Sequence, residues 1–222
     1  MNTFRYALID YRAPSGMLRG YFGAIRDFGE WTIAQPGDVL PVCVLVGAVP
    51  RLMRAYWNKP GTTLHARRRS AGVGYTATPQ AFARSRTYGP LYHRRQRCLV
   101  PASGYYQART PDGRDVYMRS RDGGLLAFAG LWDQNLPDGN GTGISYAVVS
   151  CMANAGTQGS EPLILAPEQY DAWLNEEDPR HLLTQYAAHL VVAETPRLKA
   201  LDLAEPPLRA ARPAVNTNIA NA

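Results

Sequence analysis

Arginines and aromatic residues alternate along one stretch of the chain in a way that suits contact with single-stranded nucleic acid. That stretch contains Arg84, Arg86, Tyr88, Tyr92, Arg94, Arg95 and Arg97. Upstream, the adjacent aromatics Tyr56 and Trp57 precede Lys59. Guanidinium groups follow a phosphate backbone, and aromatic faces stack on unpaired bases at about 1–3 kcal/mol per base. The competing interpretation is that the aromatics are core residues and the arginines form a solvated rim.

Charge is distributed unevenly along the 222 residues. Residues 1–121 hold 19 Lys and Arg against 6 Asp and Glu, whereas residues 122–222 hold 5 against 12. All but two of the 24 cationic residues are arginine, whose planar group matches phosphate oxygens. A GC-rich genome would explain the excess of Arg over Lys, but it does not explain the difference between the halves. The asymmetry predicts a polyanionic partner for the first half.

Motifs for nucleotide, metal or serine-nucleophile chemistry are missing. The sequence has neither of the glycine-rich phosphate-binding patterns, and its four histidines lack metal-ligand spacing. Gly143–Ala147 is only weakly similar to a nucleophile elbow, because it lies in a strand pattern with no helix after it. We therefore expect no metal and no cofactor.

The three cysteines and the hydropathy pattern indicate a cellular location. Cys43, Cys98 and Cys151 are an odd number without paired spacing, which is typical of a reducing compartment. Cys43 and Cys151 lie in strand patterns and are predicted to be buried. Arg95 and Arg97 could lower the pKa of the Cys98 thiol, although burial is the favoured role there too. With no visible secretory signal and no membrane-spanning stretch, we expect a cytoplasmic protein.

Hydrophobic patterns predict more strands than helices. The expected strands are Arg5–Tyr11, Val39–Val46, Leu52–Trp57, Cys98–Arg109, Asp115–Ser120, Leu125–Trp132 and Ile144–Met152. The expected helices are residues 16–27 with Ser15 as N-cap, Pro167–Glu176 and Pro179–Ala188. Residues 60–90 lack periodicity and are expected to form a long surface loop. Without a repeat or a linker, the simplest account is one α+β domain over residues 1–222.

Several segments, in matching order along the chain, resemble the SOS response-associated peptidase (SRAP) family. The longest is Arg95–Gln107, RQRCLVPASGYYQ, which is similar to the family stretch RRCLVPAxGFYEW. Leu126–Asp133, LAFAGLWD, is similar to the family's FAGLWE. Shorter similarities lie at Arg5–Leu8, Ile33–Ala34, Ser150–Asn154, Pro162–Leu165 and Val215–Asn216. The resemblance implies mixed β-sheets forming a barrel-like core with peripheral helices, and it implies binding of single-stranded DNA with trapping of abasic sites.

The covalent chemistry of that family requires residues that this sequence replaces. In the family, the amine and thiol of an N-terminal Cys capture the abasic aldehyde, while a Glu and a His handle protons and an Asn orients the site. By resemblance, Thr3 stands at the Cys position, Gln107 at the Glu position and Gln158 at the His position. The Asn position is best assigned to Thr76, although a rival alignment would shift that motif to Phe82–Thr87 and retain an arginine, Arg84.

These departures predict a SRAP-like protein that binds single-stranded or damaged DNA in the SOS response without the cysteine crosslink, as a monomer. The expected DNA-binding residues are Arg5, Tyr56, Trp57, Arg84, Arg86, Arg95 and Arg97. One alternative is an enzyme with altered chemistry, in which the Met1 amine forms a Schiff base or Thr3 acts after unusual processing. The other is an interaction protein that uses the same fold for a protein partner.

Overall fold

The structure is built mainly from β-strands. The computed structural model describes residues 5–8, 13–28, 31–34, 37–57, 76–77, 88–108, 115–134, 143–152, 160–183 and 190–193. The strands are β1 Arg5–Leu8, β2 Trp31–Ala34, β3 Val39–Val46, β4 Val49–Trp57, β5 Thr76–Ala77, β6 Arg97–Ala102, β7 Gly104–Ala108, β8 Asp115–Ser120, β9 Leu126–Asp133, β10 Ser145–Met152, β11 Ser160–Pro162, β12 Ile164–Leu165 and β13 Leu190–Ala193. The helices are α1 Met17–Phe22, α2 Tyr88–His93 and α3 Tyr170–Asn175, and short 3₁₀ helices cover Ile25–Phe28, Pro167–Gln169 and Pro179–Leu182.

Five of the strands close into a barrel. Their order is β10–β4–β3–β6–β9, and β9 pairs again with β10 to complete the circle. The β4–β10 contact is parallel and the other four are antiparallel. Strands β5, β11 and β12 extend this sheet, and a second sheet has the order β13–β8–β7–β1–β2. The predicted barrel-like core of mixed sheets with peripheral helices is confirmed.

Alternate side chains of each barrel strand belong to two different hydrophobic clusters. One cluster combines residues from all five strands, such as Val42, Cys98, Phe128 and Tyr146, and therefore fills the barrel interior. The other combines the alternate positions with helix residues: Cys43, Leu99, Ala129 and Ala147 with Phe22, Leu91 and Trp173. The interior is tightly filled, because a Cβ atom on Gly130 would lie 2.6 Å from the Cys98 sulfur.

The stretch predicted as one strand, Cys98–Arg109, is divided between the two sheets. Strand β6 ends at Ala102 and pairs with barrel strands, whereas β7 begins at Gly104 and pairs with β1 and β8. Between them, the Ser103 amide donates a hydrogen bond to the Ala7 carbonyl at 2.8 Å. A Cβ atom at Gly104 would collide with the Met118 carbonyl oxygen and lie 2.5 Å from the Tyr117 hydroxyl. The glycine is thus required by the close approach of β8 where the chain changes sheet.

The predicted helices consist partly of 3₁₀ turns. The first is α1 followed by a 3₁₀ turn, and its N-cap is Gly16 at φ 53° rather than Ser15. The second begins at Pro167 as expected, but as a 3₁₀ turn before α3. Of the third, the structure describes only the 3₁₀ turn at its start. Within the predicted loop 60–90, β5 and the beginning of α2 are regular elements, and the rest lies outside the described residues.

Candidate nucleic-acid interface

The start of β1 lies against β7 in the second sheet, and this pairing sets the candidate site. Arg5 is directly opposite Tyr106, and Tyr106 is directly opposite Tyr117 of β8. The guanidinium carbon of half-buried Arg5 lies 4.8 Å from the centroid of the Tyr106 ring, a cation–π distance. The Tyr106 and Tyr117 rings lie 5.2 Å apart. The Arg5 cation is thus held on the Tyr106 ring, which packs at a tilt against Tyr117, and Gln107 is the next residue on β7.

The neighbouring aromatics Tyr56 and Trp57 face opposite sides of β4. Trp57 is fully buried in the barrel interior, with its ring 4.9 Å from Tyr6 and stacked parallel to Tyr146 at 6.5 Å. Tyr56 is half-buried on the other face. The core interpretation therefore applies to Trp57, whose faces are covered by other aromatic rings and are not open to stack on a base. Tyr56 stays in the predicted DNA-binding set.

Arg97 is buried between the barrel and the helices, whereas Arg95, two residues earlier, is exposed. The Arg97 guanidinium carbon lies 5.3 Å from the Tyr92 ring and 5.9 Å from the Trp173 ring, and Nη2 donates to the Glu176 carbonyl at the end of α3. The side chain is only 1% exposed, and burial lowers the pKa of its guanidinium. The contacts connect β6, α2 and α3, so Arg97 holds the helices on the barrel.

Arg95 occupies the exposed turn between α2 and β6. Its φ of 58° makes it the one non-glycine residue with positive φ among the described residues. Arg94, beside it, is also exposed and donates from Nε to the Gln96 side chain at 2.9 Å. A guanidinium at this turn is accessible to a phosphate backbone.

The positions assigned to the family's covalent chemistry are only partly described. Gln107 lies on β7 beside Tyr106, and Thr76 lies on β5 opposite Val148 of β10. The two strands belong to different sheets. Thr3 and Gln158, together with the predicted DNA-binding residues Arg84 and Arg86, lie outside the described residues.

Neither of the cysteines with a described side chain has the character of a nucleophile. Cys43 and Cys98 are fully buried free thiols. Burial raises the pKa of Cys43 to about 12 and raises the pKa of Cys98 well above its usual value. Arg95 is exposed and Arg97 faces the helices, so neither lowers the pKa of Cys98. The predicted burial of Cys43 and Cys98 is confirmed.

Tyr106 and Tyr117 are the site residues that sequence reasoning missed. Tyr106 stands within the family-like stretch, directly before Gln107, which is the signal that could have drawn attention to it. Nothing in the sequence marks Tyr117, because its relation to Arg5 depends on the register of two strand pairs. Among the described residues, no His, Cys, Asp or Glu group could hold a metal ion. None of the described helices is long and apolar enough to cross a membrane.

Comparison with known proteins places the chain among similar sequences and folds. Residues 52–199 match the family model described as SOS response associated peptidase (SRAP). A solved structure from Bordetella bronchiseptica is similar with a TM-score of 0.62 at 23% identity, covering 86% of this chain and 98% of that one. One from Bacteroides thetaiotaomicron has a TM-score of 0.59 at 15% identity, covering 84% and 89%. A phage-related protein from Bordetella bronchiseptica has a TM-score of 0.61 at 19% identity, covering 86% and 93%. No curated protein matches the chain.

Proposed function

Because the chain belongs to the SRAP family, we propose that it binds single-stranded DNA at abasic or otherwise damaged sites without forming a covalent cysteine crosslink. The observation that carries the proposal is the contrast between a retained cation and altered proton-transfer positions. Arg5 is held on Tyr106, whereas the next residue on β7 is Gln107. A glutamine amide neither donates nor accepts a proton near neutral pH, so it cannot replace a catalytic carboxyl group.

Three further positions support the loss of covalent chemistry. By resemblance, Thr3 replaces the nucleophile, Gln158 the histidine and Thr76 the asparagine. None of them supplies a thiol or an imidazole. Four altered positions are better explained by a changed role than by a single alignment error.

The charge supports a DNA partner for the same protein. The excess of arginine in residues 1–121 includes Arg5 and the exposed Arg94 and Arg95. Phosphate contacts of this kind release counterions, so the affinity should fall steeply as salt rises. We propose that Arg84, Arg86 and half-buried Tyr56 belong to the same surface. We also propose that the protein acts as a monomer in the cytoplasm, in the SOS response.

The test is a titration with single-stranded DNA that carries one abasic site or none. The same samples are separated on native and denaturing gels, and a parallel set is treated with borohydride to trap a Schiff base. We expect a shifted band on the native gel, no band that survives denaturation and no trapped adduct.

Each other outcome contradicts a named part of the proposal. A band that survives denaturation would show that covalent chemistry is retained. A borohydride-trapped adduct would favour the enzyme with altered chemistry, in which an amine attacks the abasic aldehyde. Absence of any native shift would overturn DNA binding and favour a protein partner for this fold.

A further inference from the structure

We infer that Tyr106 and Tyr117 are positioning residues, which hold the Arg5 guanidinium in a fixed orientation for a DNA phosphate. The inference rests on the proposed function, because it concerns how one of its cations is presented. A free arginine side chain samples many rotamers, and it loses that rotamer entropy when it binds a phosphate in one geometry. A cation whose conformation is restricted before binding loses less on contact.

The first contact that restrains Arg5 is the one with Tyr106. The two residues are directly opposite on antiparallel strands, and the guanidinium carbon lies 4.8 Å from the ring centroid. Tyr106 is 6% exposed, so the tyrosine side of the guanidinium is shielded from water. Cation–π attraction is stronger where the ring is partly desolvated.

A second contact fixes the Tyr106 ring. The Tyr117 ring lies 5.2 Å away at an angle of 48°, and it is 3% exposed. Its hydroxyl lies 3.2 Å from the Ser103 hydroxyl, within hydrogen-bond distance. The ring also occupies the space above Gly104, where a side chain would collide with it. Tyr117 therefore has little freedom to move away from Tyr106.

A third contact connects Ser103 to β1, the strand that carries Arg5. The Ser103 amide donates to the Ala7 carbonyl at 2.8 Å, and Ala7 is two residues after Arg5 on β1. The contacts thus form a closed circuit from Arg5 through Tyr106, Tyr117 and Ser103 back to β1. A circuit of this kind restrains the guanidinium relative to the sheet more firmly than one contact could.

The test is a double-mutant cycle read by equilibrium binding of a fluorescent single-stranded oligonucleotide over a range of salt concentrations. The cycle consists of Tyr106→Leu, Arg5→Gln and the double variant in the full chain. Removal of the ring should weaken binding about three- to ten-fold. Loss of the cation in Arg5→Gln should make the salt slope shallower by about 0.7, the amount expected for one phosphate contact on a single strand. In the Arg5→Gln background, Tyr106→Leu should weaken binding less than two-fold.

Two further variants separate positioning from a general structural effect. Tyr106→Phe keeps the ring and should recover most of the affinity that Tyr106→Leu loses. Tyr21→Leu removes a half-buried tyrosine from another aromatic contact, with Tyr170 at 5.3 Å, and should leave the affinity of the folded protein within two-fold of wild type. Melting temperatures of all variants identify any that fail to fold. If Tyr106→Leu fails to fold, Tyr117→Phe replaces it in the cycle and should weaken binding about two- to three-fold.

The outcomes distinguish this inference from the function on which it rests. Wild-type protein that binds no single-stranded DNA would overturn both. Wild-type binding with equal losses from Tyr106→Leu in the two backgrounds would overturn the positioning role and leave DNA binding intact. Unchanged affinity in Tyr106→Leu would do the same.

Discussion

The hydroxyl oxygens of Tyr6 and Tyr146 lie 2.5 Å apart, where β1 of the second sheet packs against β10 of the barrel. Both side chains are fully buried, and burial raises the pKa of each tyrosine well above its ordinary value. The contact is therefore a hydrogen bond between two neutral hydroxyls. It joins β1, which begins at Arg5, to a strand of the barrel core.

The first prediction concerns this hydrogen bond. Tyr146→Phe should lower the free energy of unfolding by about 1–2 kcal/mol, because the buried Tyr6 hydroxyl loses this partner. The double variant with Tyr6→Phe should cost less than the sum of the two single variants. Urea unfolding measures all three, and Tyr21→Phe, at a half-buried position, serves as the control with a cost below about 0.5 kcal/mol. Additive costs would contradict the pairing.

The second prediction separates Arg95 from Arg97. Arg97→Ala should lower the free energy of unfolding by about 2–4 kcal/mol, because it removes buried packing and the bond to Glu176. The DNA affinity of the folded variant should stay within two-fold of wild type. Arg95→Asn should preserve or slightly raise stability, because asparagine tolerates positive φ better than arginine.

The DNA affinity of Arg95→Asn should fall, with a shallower salt slope, because an exposed cation is lost. Thermal unfolding and oligonucleotide binding, measured on both variants, check the pair. A large loss of DNA affinity in stable, folded Arg97→Ala would contradict this prediction, because it would show that the buried arginine contributes to DNA binding.

The third prediction is a loss of stability in alkali. Burial raises the pKa of Cys43 from 9.0 to about 12. Burial also raises the pKa values of Cys98, Tyr6 and Tyr146. The unfolded thiol ionises from about pH 9, while the folded thiol keeps its proton up to about pH 12. Because the unfolded state holds fewer protons in this window, the contribution is complete below pH 9 and is lost as pH rises towards 12.

The corresponding measurement is urea unfolding from pH 8 to 11. Cys43→Ala should make the decline of unfolding free energy with pH less steep, whatever its effect on stability at pH 8. Thiol reagents should modify Cys43 and Cys98 only when the protein unfolds, because both are fully buried. Rapid modification of either thiol in the native protein would contradict their burial.

The fourth prediction compares two glycines. Gly104→Ala should destabilise the protein by more than about 3 kcal/mol, because the new Cβ atom would meet the backbone of β8 and the Tyr117 ring. Gly20→Ala should stabilise it by about 0.5–1 kcal/mol, since Gly20 lies within α1 and nothing stands within 4 Å of a Cβ there. Thermal unfolding of the two variants measures the contrast. A mild effect at Gly104 would contradict the close approach of β7 and β8.

The sequence by itself determined most of the strands, and its resemblance to a known family implied the barrel that they form. Val39–Val46 and Asp115–Ser120 are strands with the predicted bounds. The predicted burial of Cys43 and Cys98 is likewise confirmed. Such features depend on local hydrophobicity and alternation, which act over a few residues and can be seen without knowing the partner strands. The uneven charge is also a property of the sequence alone.

Only the tertiary structure decided which face of each strand lines the barrel interior. Alternation places Tyr56 and Trp57 on opposite faces of β4, but the β9–β10 pairing that closes the barrel makes the face of Trp57 the interior. The burial of Arg97 depends on Trp173 of α3, far away in sequence. The relation of Arg5 to Tyr117 requires two strand registers at once. Long-range pairing sets these relations, and local sequence carries no signal for a partner that lies many residues away.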